Sequence, residues 1–439
     1  MRHRRNLLIY VSALVLLSAH AATTRAAELA DYPSEVKADI PVNYTEAEVG
    51  DYELPDPLSF ESGQPVDSAA AWRERRRPEL HAIFERHQYG RAPAEPREIR
   101  YEVTEPPTPA LDGAAVREQV TIHFGTGDTA QHMDLLVYVP ADRDGPSPLL
   151  LSISFMPNNM CVDDPAVHVG RRWDRREGRR VAADGPSPFP GRLPVRQFID
   201  RGFAIATFCY SDVDPDAPGA IEQGVRQQYL PAGKSQPADD EWGAIAAWCW
   251  GISRAVDYFE ADDLIDAQRI AITGISRLGK TVMWAGANDQ RIAAVIASCS
   301  GEGGAALSRR NYGETIAHLT AVGRFDYQFC KNYQHWAPDP TAAPVDAHEL
   351  VALIAPRPLL LQTGTTDKWS DPKGEFLAAA AATPVYELLG ETGVEITELP
   401  DPDTLVGGTL AYYMHDGGHG MVPGDWQVFL DFLQQHLGE

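Results

Sequence analysis

Positive charge is scarce in this chain. Only 38 Lys and Arg stand against 62 Asp and Glu over 439 residues, a formal net charge of −24. A nucleic-acid partner is set aside on that ground, because neutralising phosphates draws on clustered Lys and Arg. The same balance argues against adhesion to anionic lipid. It leaves a single cleft open, since a few local cations dominate there. Cysteine is scarce as well. The five, Cys161, Cys209, Cys249, Cys299 and Cys330, are odd in number and include no CxxC pair. Neither a zinc module nor a disulfide framework is therefore expected, although pairing among them stays open. Cys209 and Cys249 lie in apolar runs and read as small buried hydrophobes. No later segment has the length and apolarity of a membrane span, and no internal repeat is visible.

The amino terminus is patterned differently. Basic residues from Arg2 to Arg5 precede an apolar run from Leu7 to Ala19, then small residues at Ala21 and Ala26. That is the layout of a secretory signal peptide. Residues 1–26 are thus expected to be removed on export, to the periplasm or beyond the cell. Residues 27–68, rich in Pro, Asp, Glu and Ser, read as an extended lead-in lying over the surface of one domain that occupies 69–439.

Within that domain, a helix is expected over Ala69 to Gln88, with Trp72, Leu80, Ile83 and Phe84 as its apolar stripe and Gly90 closing it. Val116 to Phe124 and Met133 to Val139 alternate as a hairpin. Short continuous apolar runs follow at Leu149–Ile153, Phe203–Phe208, Arg269–Thr273, Ile292–Ala297 and Pro358–Gln362, the mark of parallel strands buried on both faces. Helical patterns separate them, at Gln197–Arg201, Trp242–Tyr258, Lys280–Asn288 and Gly374–Ala382, and a last one covers Trp426–His436. This alternation predicts a three-layer α/β sandwich with a mostly parallel sheet preceded by an antiparallel hairpin. Loop insertions near 156–191 and 212–240 both follow strands, so both are expected at the carboxyl end of the sheet, where such folds bind ligands.

The most informative segment is Gly274-Ile275-Ser276-Arg277-Leu278-Gly279-Lys280-Thr281, at a strand-to-helix turn. It spells a phosphate loop literally. It also spells a nucleophile elbow with its second glycine one residue late. Context separates the two. A phosphate site wants a neighbouring strand ending in Asp, and here the next strand ends in Ser298-Cys299-Ser300. A serine nucleophile wants an acid and then a histidine further on. Asp367 lies just past a later strand, and His419 lies in a glycine-flanked loop before the last helix. His415, four residues earlier, is a second histidine, but the glycines between the two argue against a helical metal pair. The α/β-hydrolase fold follows, with Ser276 as nucleophile, His419 as base and Asp367 as acid. Arg277 is a cation at a helix start, where the dipole disfavours positive charge, so a reaction that develops negative charge is implied. No metal and no cofactor are expected.

These residues resemble the glucuronoyl esterases, carbohydrate esterase family 15, in their bacterial form. The resemblance rests on Gly274 to Lys280 and on Arg75-Arg76-Arg77-Pro78-Glu79, Gln88-Tyr89-Gly90-Arg91 and Glu241-Trp242-Gly243-Ala244-Ile245. It extends through Ser300 to Arg310, Leu353 to Pro358 and Asp367 to Phe376, so it runs from about residue 70 to the end. It implies hydrolysis of esters joining 4-O-methyl-glucuronic acid on xylan to lignin alcohols. It implies that Arg277 stabilises the oxyanion, that Lys280 binds sugar hydroxyls, that Trp369 packs on the sugar ring and that Glu314 contacts the sugar. A monomer acting on glucuronoxylan or a lignin–carbohydrate ester is expected. The alternatives are an acetyl-xylan or general carboxylesterase, or an inactive carbohydrate-binding relative.

Two departures stand out. Ile275 occupies the place where the family often has a disulfide-bonded Cys. Cys299 falls where many members carry the acid as Glu, and Glu302 nearby lies within a glycine turn. The first forbids that disulfide here; the second leaves Asp367 as the acid, with Asp371 as the fallback.

Overall fold

The computed structural model describes residues 35–127, 130–185 and 193–438. The signal-peptide reading of 1–26 and the start of the lead-in lie outside the described residues. Among the described residues, no helix is long and apolar enough to cross a membrane.

A ten-stranded sheet organises the chain. Its strands are β1 (Ile99–Ala110), β2 (Ala115–Phe124), β3 (Gln131–Pro140), β4 (Ser147–Ser154), β5 (Ala204–Cys209), β6 (Ile265–Ile275), β7 (Ala294–Ser298), β8 (Leu359–Gly364), β9 (Val406–Gly407) and β10 (Leu410–His415). Their spatial order is β9-β10-β8-β7-β6-β4-β5-β3-β2-β1. From β5 across to β10 all neighbours are parallel, while β1, β2 and β3 form an antiparallel meander joined to β5. The fold is that of an α/β-hydrolase.

Alternation along the strands makes the three layers. Leu149, Leu151, Ile272, Val295, Leu359 and Leu361 face one core, which they share with Trp72, Leu80, Trp248, Met283 and Phe376. Those partners belong to the helix over 69–89 (α1), Ala244–Phe259 (α3), Arg277–Asn288 (α4) and Pro372–Leu388 (α6). Leu150, Ala271, Ile296, Leu360 and Ala411 point the other way, onto Phe198 of Val195–Ile199 (α2) and onto Trp426, Phe429 and Leu433 of Pro423–Leu437 (α7). A side-chain period of two thus feeds two separate cores. Ala347–Ala352 (α5) also packs on the first face, through Leu350 and Val351.

Three strands of the sheet were not expected: β1, the two-residue β9 and β10. β1 holds Pro106, Pro107 and Pro109, which argue against a central strand; it survives because it is the sheet's outer strand, with register shifts where it pairs β2. β10 is six residues long, and its period gave no separate signal. α6 also runs past its expected end at Ala382, carrying Pro384 inside it.

The lead-in contains a small hairpin, Glu35–Lys37 against Ile40–Val42, and Val42 and Tyr44 bury themselves against Tyr312. At the other end of α1, Gly90 has φ 83°. A Cβ there would lie 2.2 Å from the Glu241 carbonyl oxygen and 2.6 Å from Trp242 Cα. Backbone cannot yield as a side-chain tip can, so Gly90→Ala should lower stability by about 3 kcal/mol. Thermal or urea unfolding of the variant checks this, and a loss under about 1 kcal/mol would contradict the clash.

Candidate active site

The turn expected to be the nucleophile elbow joins β6 to α4. Ser276 has φ 61° and ψ −127°, a conformation that disfavours any residue with a Cβ and that lifts its hydroxyl above the sheet. Its amide donates to the Ser298 carbonyl at 2.9 Å, and its own carbonyl accepts from Lys280 at 3.0 Å. The late second glycine has a packing reason. A Cβ on Gly279 would lie 2.7 Å from the Ser298 carbonyl oxygen, so the residue that must be small is the one where α4 crosses the end of β7. Lys280 is also unlike a phosphate-loop lysine, since its ammonium is buried and donates to the Ser300 carbonyl at 2.6 Å.

His419 sits in the loop between β10 and α7. Its Nδ1 lies 2.7 Å from Asp367 Oδ2. An ionised carboxylate only accepts, so Nδ1 carries the proton and Nε2 keeps its lone pair. Among the described residues Nε2 has no hydrogen-bond partner. Ser370 Oγ lies 3.3 Å from Nδ1. The Asp367 carboxylate is nearly fully buried, with side-chain exposure of 2%. Burial pushes its pKa up, but hydrogen bonds and charge from His419, with Ser370 and Cys299 beside it, bring it below the ordinary carboxylate value.

Cys299 is the third member of this corner. The donor atoms of Cys299, Asp367 and His419 all lie within 4.8 Å of one another, the one such grouping of possible metal donors among the described residues. Its Sγ reaches the Gly420 carbonyl at 3.6 Å. Ser298, which receives the Ser276 amide, is its chain neighbour, so β7 links elbow and histidine loop. All five cysteines are free and buried. Burial holds the Cys299 thiol well above its usual pKa, so it stays protonated.

The other acids and histidines are engaged elsewhere. Asp371 accepts from Arg310 Nε at 2.9 Å, and burial pushes its pKa up to about 6. Glu302 accepts from Ser308 and Tyr333 hydroxyls at 2.6 and 2.8 Å. His415 is 1% exposed, with Nδ1 at 3.0 Å from Asp425 and Nε2 at 3.0 Å from the Gly418 carbonyl. Burial alone would lower its pKa, but Asp425 and that carbonyl raise it. With Asp425 and Gln362 Nε2 (2.9 Å) at Nδ1 and the Gly418 carbonyl at Nε2, both His415 nitrogens are engaged, so the ring anchors the histidine loop.

The expected sugar-binding residues converge. Lys280 Nζ lies 3.8 Å from Glu314 Oε2, and Arg324 lies 3.4 Å from Glu314 Oε1. Burial lowers the Lys280 pKa and raises that of Glu314, and each opposes the shift in the other. The Glu314 amide donates to the Trp369 carbonyl at 2.9 Å. Trp369 itself is half-buried, with Lys37 Nζ 3.9 Å and Arg324 5.3 Å from its ring centre. Lys37, on the lead-in hairpin, and Arg324 carried no signal in the sequence, being distant from every motif.

Arg277 does not point freely into the cleft. Its guanidinium is ion-paired through NH1 to Asp216 and lies over the rings of Phe155 and Phe325, at 5.7 and 4.9 Å. Asp216 belongs to the insertion near 212–240, and Arg175, from the turn of a hairpin inside the 156–191 insertion, reaches the same carboxylate at 3.0 Å. Both insertions therefore meet beside the elbow. The Met156 amide, just past β4, donates to Ser154 Oγ at 3.0 Å.

Known proteins share this arrangement of strands and loops. A family model described as "Glucuronyl esterase, fungi" matches residues 197–390. A glucuronoyl esterase from Solibacter usitatus superposes with a TM-score of 0.86 at 40% identity, covering 90% of this chain and 100% of that one. A structure described as a promiscuous CE15 esterase from a marine bacterial metagenome gives 0.81 at 38% identity, over 90% and 100%. A curated 4-O-methyl-glucuronoyl methylesterase of Phanerochaete carnosa is 27% identical over 374 residues, 84% of this chain and 78% of that protein. At 40% identity over 90% of its length, the chain belongs to the glucuronoyl esterases of carbohydrate esterase family 15, which are carboxylic ester hydrolases.

Proposed function

We propose that the protein is an exported serine esterase that cleaves esters of (4-O-methyl-)glucuronic acid, with lignin–carbohydrate ester links on glucuronoxylan as its natural target. The observation that carries the mechanism is the short Asp367–His419 hydrogen bond, joined through the Ser298–Cys299 strand end to the strained Ser276 turn. Export rests on the amino-terminal pattern. The substrate rests on the name of the Phanerochaete carnosa relative and on the Lys280–Glu314–Trp369 cluster, whose polar groups and half-buried ring suit a sugar.

The chemistry is acyl transfer in two steps. His419 Nε2 takes the Ser276 proton as Oγ attacks the ester carbonyl. Asp367 holds the imidazole in the required tautomer and stabilises the imidazolium. Elbow amides and Arg277 receive the developing oxyanion. His419 then protonates the leaving alcohol, and water, activated by the same nitrogen, releases the uronate and regenerates Ser276. No cofactor enters, and the enzyme acts as a monomer in this reading.

A hydrolysis panel tests the specificity. Benzyl glucuronate should be cleaved with kcat/KM roughly tenfold or more above the galacturonate ester and above acetylated xylan. Faster release of acetate would favour a broader carboxylesterase, the reading to which the promiscuous relative lends support. No turnover of any ester would leave the inactive carbohydrate-binding alternative.

A further inference from the structure

Asp216 is a buried carboxylate that the mechanism above does not use, and it accepts from five donors. Oδ1 receives the Tyr327 hydroxyl at 2.6 Å and Gln328 Nε2 at 2.8 Å. Oδ2 receives the Tyr210 hydroxyl at 3.0 Å, Arg175 NH2 at 3.0 Å and Arg277 NH1. The donors come from four places: the end of β5, the hairpin of the first insertion, the turn Asp326–Gln328, and the first residue of α4. The Asp216 side chain is 4% exposed and that of Arg277 is 24% exposed. Burial pushes the Asp216 pKa up, but the Arg277 charge, the Tyr327 and Gln328 bonds and Arg175 bring it below the ordinary value. The group is thus a fixed anion.

A charge buried at this depth is costly unless it is fully paired. Such an arrangement next to the nucleophile calls for a use. An unrestrained arginine spreads over many rotamers, and a donor must already be in place when the oxyanion forms. Arg277 is held through NH1 on one side and by Phe155 and Phe325 across its faces. Among the described residues its other guanidinium nitrogens make no hydrogen bond, so one edge is anchored and the other is left for a ligand.

We infer that Asp216 is a positioning residue for catalysis: it fixes the Arg277 guanidinium in the orientation that receives the oxyanion, and so ties both loop insertions to the rate of acyl transfer. The inference rests on the oxyanion reading of Arg277.

A double-mutant cycle separates the two. The variants are Asp216→Asn, Arg277→Ala and their combination, with kcat counted per site by titration with a serine-reactive phosphonate. Arg277→Ala should lower kcat by roughly 100-fold while KM moves little, as for loss of one oxyanion donor. Asp216→Asn should lower kcat by about tenfold with KM within about threefold, and in the Arg277→Ala background it should have no further effect. Should Asp216→Asn fail to fold, Asp216→Glu keeps the charge, displaces it by one methylene, and is run through the same cycle with the same expectation. An unchanged kcat for the Asp216 variant, or an equal fall in both backgrounds, overturns the positioning role. An unchanged kcat for Arg277→Ala instead overturns the oxyanion reading.

Discussion

Replacing Ser276 with alanine is expected to lower kcat on benzyl glucuronate by four to six orders of magnitude, on the order of what the loss of a serine nucleophile costs elsewhere. The fold should survive the change. Ser276 already holds a Cβ at φ 61°, so alanine meets the same backbone strain and removes only the hydroxyl. Its amide bond to Ser298 and the Lys280 bond to its carbonyl are backbone contacts that persist. Thermal unfolding within a few degrees of the wild type, together with the collapse of turnover, is the expected pair of results. A variant that keeps a tenth of the activity would exclude Ser276 as the nucleophile, and would return attention to the phosphate-loop spelling of the same residues.

The second large effect discriminates between the two groups that meet His419. Asp367→Asn should cost about 10⁴ in kcat, because an amide beside Nδ1 no longer enforces the tautomer that leaves Nε2 unprotonated. Cys299→Ala should change kcat by less than about threefold, since it removes a buried neutral thiol and leaves a small void. The carboxylate has a pH signature too. The Asp367 pKa is lowered in the folded protein, so its contribution to stability is present above the unfolded value, about 3.9, and is lost as pH falls through the folded one. Asp367→Asn should therefore flatten the acid limb of the stability profile, measured by unfolding from pH 7 down to pH 3. If Cys299→Ala proved the more damaging substitution, the acid would have to be sought at the end of β7 instead.

Much of this corner was legible because its signals are local or ordered along the chain. A strand, a tight turn and a helix start within thirteen residues specify the elbow. The later strand end at Asp367 and the glycine-flanked His419 follow in the order that such folds require. His415 and His419 are four apart and look alike in sequence; only their surroundings differ, one ring enclosed by Asp425 and the Gly418 carbonyl, the other half-exposed. β1 was illegible for a physical reason, since its prolines cannot donate to a ladder and only its place at the sheet edge excuses them.

The sequence by itself determined the alternation of strands and helices, the strand–turn–helix at Ser276, the chain order of Asp367 and His419, and the family motifs, because periodicity and turn chemistry are properties of neighbouring residues. Tertiary structure alone decided which carboxylate meets His419, that Lys37 from the lead-in lies over Trp369, and that Asp216 holds Arg277 from 61 residues away. Those pairings arise where loops from different strands converge at one end of a twisted sheet. Nothing in the spacing of residues along the chain records which of them will meet there.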